Sequence, residues 1–263
     1  MLLIAGFDVN KRNSYGETPL FLAGTSNDLL AVETLVELGA DVNARCCVLQ
    51  ETVLHQACLS KQNEMLETLL SVKGVDVDMA NMHGWSPLHL VCQQDDTYKV
   101  KRLLEFGATP TVISKRGDTP LFFSLQKISG DSDKSSFEIL FDFIHKSMCQ
   151  EDARYHFQHV NNKGESLLDC TVKHQNYVAL KILLEMKNGM FDVKEKDSMG
   201  RSLLHLSIIH APNKNILTYL LERGLSPDEQ DKNGNTPLMY FFKQTRIIPH
   251  MPVAYQAIPN VNV

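Results

Sequence analysis

A single tryptophan, Trp85, stands in 263 residues, and no apolar run approaches the roughly 18 residues that a membrane-spanning helix needs. The opening MLLIAG is too short for a signal peptide and lacks its charged start. Neither sign of charge dominates: 26 Lys and Arg face 31 Asp and Glu, a formal net charge of -5, so nucleic acid meets no bulk attraction. The six cysteines (Cys46, Cys47, Cys58, Cys92, Cys149, Cys170) have no framework spacing and no C-x-x-C pair. That usage predicts a reducing compartment, the cytoplasm, with the nucleus also open to it. His-x-x-x-His spacing, a nucleophile elbow, a phosphate-cradling glycine loop and a paired acidic motif are all missing. These absences predict a chain with no catalytic residues, no metal and no cofactor, and a non-enzyme. An enzyme reading would need catalysis from a flanking domain.

What is present is a pattern. In the stretch Gly84 to Ala108, GWSPLHLVCQQDDTYKVKRLLEFGA, Gly84 suits a turn with positive φ, Ser86 can cap a helix, and Pro87 fits the first helical position. Leu88, Leu90, Val91 and Cys92 give one apolar face to a short first helix. Val100, Leu103 and Leu104 give one to a second, which Gly107 stops. Two short helices cannot bury such faces alone, so the stretch needs copies of itself. The cap residue recurs at Thr18, Thr52, Ser86, Thr119, Ser166, Ser202 and Thr236, a spacing of about 34 residues with one wide gap after Thr119. Gly stands two residues before the cap in every unit except the second, where Gln50 replaces it.

The units GETPLFLA, TVLHQAC, GWSPLHLV, GDTPLFFS, GESLLDCT, GRSLLHLS and GNTPLMYF, with second-helix endings such as LVELGADVN, resemble the ankyrin repeat up to about Gln244. Periodic helix pairs that must stack argue for a quasi-one-dimensional array in any case. The resemblance implies an all-α solenoid of stacked antiparallel helix pairs, with projecting hairpin loops, or fingers, beside a concave groove. Residues 1–13 read as a partial repeat with second helix and finger only, because LLIAGFDVN parallels LVELGADVN. That start is either part of a longer array or a degenerate half-repeat acting as a cap. Residues 14–248 form the array, about six repeats and the start of a degenerate last one, and 249–263 a proline-containing tail that either packs over the last repeat or leads to a further domain.

The unit at Thr119 is expected to carry a first helix from Leu121 to about Ile128 and a second from Phe137 to about His145. Insertions lie near 129–136 and 148–160. Such insertions map to loops and often serve binding, and the serine-rich first one could take phosphate; a neutral, tolerated lengthening is the other reading.

His55, His89 and His205 share one repeat position with Phe21, Phe122, Asp169 and Met239, so the position is structural. The resemblance implies that this histidine bonds loop backbone between repeats. Cys46 and Cys47 form a finger pair and not a metal site.

The resemblance also implies that a partner protein meets the finger residues before each cap and the ends of the first helices. Carried onto this chain, those are Tyr15 and Glu17, then Met82, His83 and Trp85 with Gln93 and Gln94. Lys115, Arg116, Asp118 and Lys127 follow, then Lys163, Glu165, Lys173, His174 and Arg201. Lys115, Arg116, Lys127, Lys163 and Lys173 against Asp118 and Glu165 suggest an acidic partner segment; scattered solvated charge is the alternative. Trp85 is either an aromatic anchor for that partner or packing against the neighbouring finger. Family members with Leu eight residues before the Asn of DVN are common substrates of an asparagine hydroxylase, a spacing shared by Asn43 with Leu35 and Asn10 with Leu2. The expected function is a non-catalytic, monomeric scaffold or adaptor that binds another protein, not nucleic acid or membrane. The rival is the recognition segment of a larger protein such as a ubiquitin-ligase substrate receptor, a channel or a toxin.

Overall fold

The computed structural model describes residues 7–127, 134–186 and 190–245, with side chains through 243. LLIAG in the partial repeat, residues 128–133 at the start of the first insertion and the 249–263 tail therefore lie outside the described residues. Among those described, all regular structure is helical. It divides into two compact units, the first holding α1 to α8 and the second α9 to α14.

In the first unit the order is α1 (Pro19–Thr25), α2 (Leu29–Glu37), α3 (Val53–Leu59), α4 (Glu64–Ser71), α5 (Pro87–Gln94), α6 (Thr97–Glu105), α7 (Pro120–Ser124) and α8 (Ser136–Ser147). First helices stack on first helices, α1 on α3 on α5 on α7, and second helices likewise, α2 on α4 and α6 on α8. The second unit holds α9 (Gln150–Phe157), α10 (Leu167–Lys173), α11 (Tyr177–Glu185), α12 (Leu203–His210), α13 (Lys214–Glu222) and α14 (Pro237–Thr245), with α10, α12 and α14 stacked in sequence.

Each first helix starts where the cap pattern places it. Thr18 Oγ1 accepts from Phe21 N at 3.2 Å, and Thr52, Ser86, Ser166 and Ser202 form capping boxes with the residue three positions on. Second helices are capped by Asp28, Asp96, Asn176 and Asn213, each taking a backbone N–H of the first turn. The stacked faces bury Leu54, Leu66, Leu69, Leu88, Val91, Leu103 and Leu121 in the first unit and Leu167, Leu180, Leu183 and Leu220 in the second. Across the second helices, Arg102 grips the Glu67 carboxylate through Nε at 2.8 Å and Nη2 at 2.7 Å, while Tyr98 donates to the same carboxylate at 2.9 Å.

Two elements differ from expectation. α7 ends at Ser124, short of Ile128; the Ser124 hydroxyl donates back to Leu121 O at 2.7 Å, a local bond that competes with helix continuation. The second insertion is not a loop but α9. Its cap is Cys149, and it buries Ala153 and Phe157, so an i, i+4 apolar pair gave the inserted residues a reason to coil.

The fingers touch one another closely. Gly84 sits at φ +77°, and a Cβ there would lie 2.7 Å from Lys115 N in the next finger; Gly234, at φ +75°, has nothing within 4 Å. Gly234→Ala is expected to cost only the ~1–2 kcal/mol of the left-handed conformation. Gly84→Ala should cost about 1 kcal/mol more, because backbone must also give way. Urea unfolding of the two variants compares them directly, and equal midpoints would contradict the tight contact.

Candidate functional site

A finger is a turn built by one side chain. Asn81 Oδ1 accepts from His83 N at 2.9 Å and Trp85 N at 3.1 Å. Asn13, Ser114, Asn161, Asp197 and Asp231 do the same two and four residues on in their own fingers. Asn81 N closes the same turn on Trp85 O at 2.9 Å. In the second unit of the pattern, Cys46 N reaches Glu51 O at 2.9 Å across one residue more, with Gln50 at φ +58° where glycine stands elsewhere. Consecutive fingers then join through main chain: Cys47 N to Tyr15 O at 3.1 Å, Met82 N to Leu49 O at 2.8 Å, and Lys115 N to His83 O at 3.0 Å. In the second compact unit Lys232 N reaches Met199 O at 3.0 Å.

The repeated histidines fix these fingers to the helices beneath. Thr52 N donates to His55 Nδ1 at 3.1 Å, so Nε2 carries the proton and donates to Trp85 O at 3.1 Å. His89 takes Ser86 N and gives to Asp118 O at 3.2 Å, and His205 takes Ser202 N and gives to Asn235 O at 3.0 Å. Burial, only partly opposed by the carbonyl bond, lowers both His55 and His89 to about 4. Asp169 occupies the same position. It accepts from Ser166 N and Oγ at 2.8 Å each, and burial raises its carboxyl above the ordinary value despite those bonds. A cavity of about 90 Å³ lies beside it, lined by Leu168, Glu195, Asp197 and Leu203 among others.

In the first unit eight of the sixteen expected contact residues lie on fingers, with Gln93 and Gln94 at the end of α5. Tyr15 is 64% exposed, and Met82, His83, Lys115, Arg116 and Gln93 are exposed. Trp85 is half-buried, its ring edge-on to Phe123 of α7 at 5.3 Å and 5.0 Å from the His83 ring, so it both packs inward and keeps an outer edge. Glu17, Gln94 and Asp118 are half-buried, and Glu17 accepts from Asn13 Nδ2 at 2.7 Å.

Lys127 and Lys163, in the second unit, are exposed and His174 is half-buried. Three other candidates there are tied to neighbours. Lys173 Nζ lies 2.5 Å from Glu165 Oε1, and Arg201 Nη2 lies 2.6 Å from Asp197 Oδ2. Burial pushes the Glu165 carboxyl up, but Lys173 and Asn161 outweigh it and hold the group below its ordinary value. Asn43 bridges to the next loop, giving to Gly74 O at 2.8 Å and taking from Asp76 N at 2.9 Å; Asn10 takes Asp41 N at 2.8 Å. Leu35 is half-buried, and Leu2 lies outside the described residues.

Sequence reasoning missed three residues. Val48 and Leu49 are exposed at the tip of the longer finger, beside buried Cys46 and exposed Cys47. The signal was the extra residue in CCVLQE, which sets two adjacent apolar residues at the tip. Lys99 is buried entirely, its ammonium donating to Ala57 O at 3.2 Å, Cys58 O at 3.3 Å and Ser60 O, with Asp96 at 3.6 Å. Among the described residues no group of three or more His, Cys, Asp or Glu could hold a metal ion, and no helix is long and apolar enough to cross a membrane.

The family model described as ankyrin repeats (3 copies) matches residues 1–81 and 54–147. SMC5-SMC6 complex localization factor protein 1 of Bos taurus is 32% identical over 126 residues, 48% of this chain and 11% of that protein. ANK repeat-containing protein nipk-1 of Caenorhabditis elegans is 31% identical over 157 residues, 54% of this chain and 24% of that protein. The chain thus spans a small part of the relatives it matches. The ankyrin repeat domain of human ASB11 aligns with a TM-score of 0.67 at 22% identity, covering 90% of this chain and all of that one, a likeness of fold. Stacked, capped helix pairs, histidine-pinned fingers and a family match across more than half of the sequence agree: the chain belongs to the ankyrin-repeat family.

Proposed function

We propose that the chain is a non-catalytic docking module, a scaffold or adaptor, that holds another protein on the fingers and first-helix ends of its first unit. Ankyrin repeats are protein-interaction modules in general. The observation that carries the reading is the row of exposed apolar side chains, Tyr15, Val48, Leu49 and Met82, on fingers that main-chain bonds join to one another, the third held also by His55. Apolar surface concentrated on a rigid frame suits a partner, since little ordering entropy is left to lose on binding. Trp85 supplies a half-buried aromatic edge within that row. Lys115 and Arg116 on the next finger favour a partner with an acidic segment.

Trp85→Ala tests the anchor. Binding to the strongest partner captured by the wild-type chain, titrated with purified components, is expected to weaken at least about five-fold, or ~1 kcal/mol. The Phe123 contact makes a stability control necessary. A large fall in unfolding midpoint with unchanged affinity would assign Trp85 to packing alone.

A second reading, the recognition segment of a larger receptor, channel or toxin, draws on one observation: the matched relatives are much longer proteins, of which this stretch is 11% and 24%. A complete reading frame on both sides tests it.

A further inference from the structure

We infer that the first unit's finger row takes an extended peptide segment whose apolar side chains recur about every third residue and lead to an acidic side chain. This rests on the docking reading and specifies its partner. The order of chemistry along the row is fixed by the bonds between fingers: Tyr15 in one finger, Val48 and Leu49 in the next, Met82 and Trp85 in the third, Lys115 and Arg116 in the fourth. The first three present exposed or half-exposed apolar groups, and the fourth presents two exposed cations.

The acidic residues of these fingers do not cancel that polarity. Glu51 is buried and occupied by Gln56 Nε2 at 2.7 Å and Asn81 Nδ2 at 3.3 Å. Glu17 sits at the opposite end from the cations, and half-buried Asp118 leaves the fourth finger with a net positive charge.

Spacing follows from backbone geometry. Each finger has two arms, bonded to each other and to the neighbouring finger, so it adds two strand widths of ~4.8 Å, about 10 Å. An extended chain advances about 3.3–3.6 Å per residue, and therefore passes one finger in about three residues. Apolar groups at i, i+3 and i+6 then meet the first three fingers, and Asp or Glu near i+9 meets Lys115 and Arg116. A helix advances 1.5 Å per residue and would need anchors about seven apart.

Selection from a random 12-residue phage-displayed peptide library on the intact chain tests this. The expected consensus has apolar residues three apart followed by an acidic one, and a selected peptide should bind the Lys115→Glu, Arg116→Glu double variant at least ten-fold more weakly. Both side chains are exposed and the Lys115 N–H bond belongs to the backbone, so the variant keeps the ladder. Enriched peptides without the acidic position, with anchors seven apart, or indifferent to the double variant would overturn this inference and leave the docking reading standing. Failure to enrich any peptide over blank beads would count against both.

Discussion

Replacing Lys99 by alanine is expected to destabilise the first unit by about 3–5 kcal/mol, the usual loss when one partner of a buried charged network is removed. Lys99 is 0% exposed in the first turn of α6. Its ammonium lies against the carbonyls of Ala57, Cys58 and Ser60 at the end of α3, where helix carbonyls lack intrahelical donors and the helix dipole is negative. It therefore caps a helix of the preceding repeat from inside the next, with Asp96 at 3.6 Å offsetting its charge. Alanine would leave those carbonyls without the donor and open a cavity as well. Lys99→Met keeps most of the volume and loses only the donors, so it should cost less, about 1–3 kcal/mol. Urea unfolding of both variants separates the two contributions. If both fall within ~0.5 kcal/mol of wild type, the ammonium contributes nothing and the capping account fails.

Lys99 also shows where a sequence stops being legible. In other repeats its position holds Met65, Ala179 and Ile216, all buried, and half-buried Ala31, so register alone marks the place as largely interior. A lysine beside the apolar trio Val100, Leu103 and Leu104 reads as the start of the polar face, because its partners lie about 40 residues back and have no local signature. The cap positions were legible for the opposite reason. Thr18, Ser86 and Ser202 act on backbone within three residues, and their period holds except across the insertions after Thr119. The finger glycines belong to the same class, and Gln50 shows that the demand for positive φ persists where glycine is absent.

The contact residues were half legible. Repeat register placed Tyr15, Met82, His83 and Trp85 on fingers, but exposure there depends on what the next finger covers. Trp85 lost one face to Phe123, while Val48 and Leu49 gained exposure through a single added residue. Period cannot report either event. α9 escaped because an insertion has no counterpart in the other units, although Ala153 and Phe157 already had helical spacing.

Acid should weaken the first unit through the same histidines that hold its fingers. His55 and His89 are 0% exposed, each with Nδ1 receiving a backbone N–H and Nε2 giving to the next finger, so the neutral imidazole already satisfies both sites. A second proton would remove the Nδ1 acceptor and place a charge in a buried site. Both groups accordingly titrate near 4 in the folded chain, against about 6.5 when unfolded. Between those values the unfolded chain takes up protons that the folded chain refuses. The stabilisation is thus full above about pH 6.5, falls as pH drops through the window, and is spent near pH 4. At 1.36 kcal/mol per unit the loss is on the order of 3 kcal/mol for each histidine. Urea midpoints at pH 7.5, 5.5 and 4.5 are expected to fall steeply in the wild type. The His55→Gln, His89→Gln double variant should start lower, having lost the bridges to Trp85 O and Asp118 O, but decline with a much shallower slope across this range. An unchanged slope would show that other groups carry the acid response and that the two imidazoles are not held neutral by the fold.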